Sequence, residues 1–152
     1  MKIGDELTAQ LHTRHLKPRG FKKKGRTFSC AHAAYSEHYN IQGSAWNSSD
    51  EPWRFYVNVG INFTDIPLRD AAGMWKYHAH TRLPFLVRSA PAEYDLTPVN
   101  FEQLLEQLAD EFLKCSEYFS RRHAILKESY LKSLYIRNGL FLYDSELKEP
   151  SR

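Results

Sequence analysis

One stretch constrains the fold more than any other. In "RFYVNVGINF", residues 54–63, every odd position is apolar (Phe55, Val57, Val59, Ile61, Phe63), while Tyr56, Asn58, Gly60 and Asn62 fill the even ones. A period of two sends those sets to opposite sides of an extended chain, so the segment is a strand with one greasy and one polar face. Such a strand needs a second layer on its greasy side. The "NSSDEP" before it is turn-forming, which predicts that "HYNIQGSAW" is a strand paired antiparallel with it. "RTFSCAHAAY" alternates around Phe28 and Cys30 and reads as an earlier strand. "WKYHAHTRL" reads as a fourth, with Trp75, Tyr77 and Ala79 on one side and Lys76, His78, His80 and Arg82 on the other. Between the strands, a short helical turn is expected within residues 64–74, and residues 88–97 read as loop.

The covering layer is legible too. Ile3, Leu7 and Leu11 share a helical stripe over residues 3–16, which Pro18 and Gly20 end. With Thr97 as N-cap and Pro98 as first helical residue, a long helix opens whose core stripe is Leu104, Leu105, Leu108, Phe112, Cys115 and Phe119. Glu102, Glu106, Asp110 and Glu117 then look outward. A further helix is expected from about Arg122 to Ile136, capped by the Asn138-Gly139 pair; a hairpin around the same pair is the competing reading. The expected fold is α+β: an antiparallel sheet of about four strands, with an N-terminal helix and C-terminal helices packed on one face. Residues 1–152 read as a single domain, with 145–152 a flexible tail.

Composition excludes several function classes. The chain has 42% hydrophobic and 26% charged residues, with three Trp, nine Tyr and nine Phe, which is rich in aromatics and unlike a disordered segment. The start, "MKIGDELTAQLH", carries acids where a leader would be apolar, and no apolar run approaches a bilayer span, so a cytoplasmic protein without a membrane partner is expected. Cys30 and Cys115 stand far apart with no C-x-x-C partner and read as buried free thiols.

"GFKKKGRT" (20–27) is one residue from the phosphate-cradling pattern G-x-x-x-x-G-K-[ST]. That loop needs a strand before it and a helix after it. Here the order is helix, loop, strand, and the glycines have simpler duties: Gly20 ends the helix and Gly25 turns the chain into a strand. The surrounding charge is the more useful signal. Residues 14–26 hold seven basic side chains (Arg14, Lys17, Arg19, Lys22, Lys23, Lys24, Arg26) and no acid, while the whole chain sums to +3. Much of the compensating acid lies in residues 93–117.

The segment "LKPRGFKKKGRTF" after a helix, strands ending in "RFYVNVGI", and the arginine–leucine pair of "TRLPFL" resemble the bacterial domain-of-unknown-function family 4304, to about residue 90. "GFKKKGRTF" is the most specific part of the likeness. The resemblance implies a small α+β domain with no established activity or catalytic residues, and therefore supplies no site.

Catalytic signatures are missing from the sequence: there is no G-x-S-x-G, neither cysteine sits in a nucleophile motif, and the helical acids fall on a solvent face. His12 with His15, and His78 with His80, share a face in pairs, but neither pair has a third donor at ligand spacing, so no metal or cofactor is expected. The polar side of the sheet is the best candidate surface. It is expected to carry Gln42, Ser44, Trp46, Tyr56, Asn58, Asn62, His78, His80 and Arg82, and Trp, Tyr and Arg are the types enriched at binding hot spots. The favoured expectation is a non-enzymatic binding module for another protein. The alternative is a binder of nucleic acid or a phosphorylated ligand through Lys22, Lys23, Lys24 and Arg26 in the basic loop 17–26. An enzyme is the third option, to be revived by a buried carboxylate or histidine converging with Arg82 in a deep pocket.

Overall fold

The computed structural model describes residues 2–48, 52–68 and 77–132, together with the backbone of 140–141. Its elements are α1 (Ile3–Leu11), β1 (Lys22–Lys24), β2 (Thr27–Ala31), β3 (Tyr35–Gly43), β4 (Trp53–Phe63), β5 (Ala79–Arg82), β6 (Tyr94–Leu96), α2 (Phe101–Lys132) and β7 (Leu140–Phe141). Strands order as β1-β2-β3-β4-β5-β7, with β6 pairing the start of β4. All pairings are antiparallel except the two-residue β5–β7 contact. The sheet is thus α+β in class as expected, but wider than four strands.

The alternation in β4 does what its period dictates. Phe55, Val57, Val59, Ile61 and Phe63 are each at most 2% exposed. Phe28 and Tyr39 from the neighbouring strands join them, and Phe112 of α2 lies on both, 4.7 Å from the Tyr39 ring and 6.0 Å from Phe28. Leu104, Leu105, Leu108, Phe112, Cys115 and Phe119 are all buried, as the helical stripe requires. Both cysteines are buried free thiols, and desolvation raises the pKa of each. Leu7 and Leu11 bring α1 to the same side of the sheet.

Five expectations change. The basic segment is not a loop throughout: Lys22–Lys24 form β1, closed onto β2 by a two-residue turn at Gly25-Arg26, where Gly25 takes φ 58°. Lysine has little strand propensity, but it suits a sheet edge because its charge repels edge-to-edge pairing. Within residues 88–97, Tyr94–Leu96 form β6, held because Phe55 stacks on Tyr94 at 4.8 Å. The long helix starts later than Thr97: Asn100 supplies the first helical carbonyl, to Leu104 N–H, and Thr97 Oγ1 accepts from Asn100 N–H while Asn100 Oδ1 accepts from Thr97 N–H. That helix runs unbroken to Lys132, because Leu126 and Tyr130 continue the Phe119 stripe and give the chain no reason to break at Arg122. Tyr77 and His78 take the opposite sides to those expected, as described below. The proposed cap at Asn138-Gly139 and the tail 145–152 lie outside the described residues.

The N-terminal helix ends as read. After α1 the backbone widens into a π-turn (His12–Leu16) and a short 3-10 turn (Lys17–Arg19) ahead of Gly20, whose φ of 93° lets Phe21 N–H reach back to Leu16 O.

Candidate functional site: the open face of the sheet

In an antiparallel ladder, directly paired residues share a face. The registers therefore define two polar rows crossing five strands. One is Lys24, Thr27, Asn40, Asn58 and Arg82; the other is Lys22, Ser29, His38, Gly60 and His80. Gln42 and Tyr56 pair beside the first row, and Ser36 and Asn62 beside the second. This is the face turned away from α1 and α2.

Side chains knit the face together. Asn58 Nδ2 donates to Gln42 Oε1 at 2.7 Å and to Asn40 Oδ1 at 3.2 Å, and Asn40 donates to Thr27 Oγ1 at 3.0 Å. His38 is held at both ring nitrogens, by the Ser29 hydroxyl at 2.8 Å and the Ser36 hydroxyl at 2.7 Å. Burial pushes its pKa down to about 4. A neutral imidazole offers one donor and one acceptor, which two hydroxyls satisfy. Tyr77 lies against His38 at 4.9 Å and directly over Gly60, where any Cβ would run into its ring. At the other end the Arg82 guanidinium sits 3.8 Å from the Tyr56 ring centroid, a close cation–π contact.

The charge of this face is one-sided. Lys22 and Lys24 stand on the edge strand β1 and Arg82 on β5 at the far end of the first row, and none of the three has an ion pair among the described residues. On the described strands, the carboxylate on this side is Asp95 of β6, which Arg54 engages at 3.3 Å.

The structure sorts the expected site residues into groups. Tyr56, Asn58, Asn62, His80 and Arg82 come together on the open face. Trp46 does not: β3 ends at Gly43, and Trp46 stands in the following turn, 90% exposed. Nor does His78, which is 2% exposed on the core side, stacked on Phe63 at 5.4 Å. The cause is local. Strand pairing of β5 starts only at Ala79, and before it Asn62 Oδ1 accepts from His78 N–H while His78 Nδ1 accepts from Phe63 N–H. These side-chain bonds replace a ladder step and invert the alternation, so Tyr77 takes the open side. Desolvation lowers the pKa of His78.

The basic cluster divides as well. Arg26 is committed, with Nη2 2.8 Å from Asp5 and its guanidinium over the Trp53 ring. Arg14 reaches Glu102 at 2.9 Å, so part of the basic segment does meet the acidic helix face. Lys23 is exposed, but its register with Phe28 places it on the opposite side from Lys22 and Lys24. The histidine pairs diverge: His12 Nε2 bonds Phe21 O while His15 meets Glu106, and no three metal-ligating side chains gather among the described residues.

The sequence reading missed that Lys22 and Lys24 belong to the same surface as Asn58 and Arg82, and that Thr27, Ser29, His38 and Asn40 bridge them. It also missed Glu37, a fully buried carboxylate on the core face of β3. Its phase with Tyr35, Tyr39 and Ile41 was the available signal.

The family model for a domain of unknown function (DUF4304) matches residues 12–117. The chain belongs to that family. The match runs from the π-turn through both polar rows and well into α2, further than the likeness read from the first part of the sequence. No curated protein and no solved structure matches the chain. Among the described residues, no helix is long and apolar enough to cross a membrane.

Proposed function

We propose that this protein is a non-enzymatic binding module that engages an anionic polymer, single-stranded nucleic acid above all, across the open face of its sheet. The observation that carries the reading is the row Lys24–Thr27–Asn40–Asn58–Arg82, with a cation at each end and neutral amides and a hydroxyl between. At strand spacings near 4.8 Å this row spans about 19 Å. Lysine and arginine neutralise phosphates, and the amides between them offer donors and acceptors to sugars and base edges. Tyr56 supplies an aromatic platform, with Arg82 already stacked on it as a nucleobase would be. A shallow open face suits a flexible single strand better than a duplex.

Fluorescence anisotropy with a labelled oligothymidylate tests the reading. Three contacting cations predict saturable binding at low salt that weakens with a log–log slope of about −2. The Lys22→Glu/Lys24→Glu variant, altered only at exposed positions, is expected to lose that binding; no binding by wild type at low salt removes the proposal. The exposed Trp46 favours a second reading, a protein partner docked at the turn after β3. A partner captured by wild type and lost with Trp46→Ala, with oligonucleotide binding unchanged, supports it.

A further inference from the structure

On the opposite side of the sheet, a cavity of about 360 Å³ opens between the π-turn, β2 and the middle of α2. Its apolar lining includes Leu16, Phe21 and Phe112, and its polar lining includes Arg19 and His32.

His32 is held in a way surface histidines are not. Its Nε2 lies 2.6 Å from Oε2 of Glu37, a carboxylate with no solvent exposure. The same oxygen accepts from the Ser116 hydroxyl at 3.0 Å, and the other accepts from the Tyr39 hydroxyl at 2.8 Å. Three groups converge on Glu37, and with both hydroxyls donating to its oxygens the matching tautomer of His32 presents Nε2–H to the shared Oε2. Its ring is further fixed by stacking on Tyr35 at 4.5 Å, and Tyr35 stacks in turn on His123. In the neutral ring, Nδ1 is left as an acceptor with a defined direction.

The charges around the cavity are unequal in their commitments. Glu106 is engaged by Arg14 and His15, and Asp110 by Lys114. Arg19, exposed at the rim, has no ion pair among the described residues. The cavity therefore combines an apolar wall, an available guanidinium and an oriented acceptor.

We propose that this cavity binds a small organic acid: an apolar body against Leu16, Phe21 and Phe112, a carboxylate held by Arg19, and a hydroxyl donating to Nδ1 of His32. The volume matches the smaller end of known ligand sites. Glu37 is a positioning residue that fixes the imidazole from behind.

Two probes, 4-hydroxyphenylacetate and phenylacetate, read by amide chemical shifts at residues 109–116 in the full chain, test this. The hydroxylated probe is expected to bind saturably and about ten-fold tighter than phenylacetate, the worth of one buried hydrogen bond. Arg19→Ala, at an exposed position, is expected to weaken both probes about ten-fold. His32→Phe is expected to erase the preference for the hydroxyl while leaving phenylacetate affinity in place. No saturable binding of either probe to wild type, or binding indifferent to Arg19→Ala, overturns the proposal. Should His32→Phe unfold, the Arg19→Ala result alone decides.

Discussion

Glu37 and His38 are neighbours on β3 and point to opposite sides of one sheet, and each side solves the problem of an ionisable group differently. On the helix-covered side, Glu37 has lost all contact with water and is held by Tyr39, Ser116 and His32. On the open side, His38 is half-buried among Ser29, Ser36 and Tyr77 and is kept neutral by desolvation. A carboxylate taken out of water is held by the donors gathered on it; an imidazole between two hydroxyls has its needs met without charge. The lesson is that the core face ties its layers together by gathering donors on buried carboxylates, Glu37 here and Glu111 with Tyr94 further along, whereas the open face presents a prearranged hydrogen-bonding surface with Lys22, Lys24 and Arg82 at the ends of its rows.

The comparison can be broken at several strengths. Phe112→Ala strikes the covered side hardest: it removes the ring between Phe28 and Tyr39 and is expected to cost about 3–5 kcal/mol in urea unfolding. Glu37→Leu keeps the volume but leaves the buried Tyr39 hydroxyl and the half-buried Ser116 hydroxyl without their acceptor, and is expected to cost about 3 kcal/mol; a neutral result means that the cluster does not anchor the core.

The open side is expected to respond to acid. The folded-state pKa of His38, near 4, lies below the ordinary 6.5, so unfolding takes up a proton between those values. The stability from keeping His38 neutral is complete above pH 6.5, falls as pH drops toward 4 and is gone below it. Allowing for partial exposure, the loss is about 2 kcal/mol. His78, lowered in the same direction, adds to it, so His38→Gln is expected to flatten the profile in part rather than wholly. Smallest of all, Asn58→Ala removes the link between Asn40 and Gln42 and is expected to cost about 1 kcal/mol by thermal unfolding.

How much of this was legible in the sequence depended on whether the cause was local. The alternation of β4 and the Leu104–Phe119 stripe are periodic, and periodicity survives into any fold that buries them. The glycines at 20 and 25 were read correctly because positive φ is a local demand. Three consecutive lysines gave no strand signal, since β1 exists only because a sheet edge was there to pair with. His78 was assigned to the wrong face because a side-chain exchange with Asn62 and Phe63, distant in sequence, inverts the alternation just before β5. Trp46 was placed on the sheet by extending a strand that stops three residues earlier. The rows joining Lys22 and Lys24 to His80 and Arg82 needed the register of five strands, which no single segment contains.

The central claim is that the open face, edge to edge, is a binding surface for a polyanion. Its most direct test is to titrate the labelled protein with oligothymidylate and follow the side-chain amide resonances of Asn40 and Asn58 with the backbone amides of Lys22–Thr27 and Arg82. We predict that these move together and saturate, while those of Leu108 and Phe112 beneath the other face stay in place. Shifts centred on the covered side, or none at all, would contradict it.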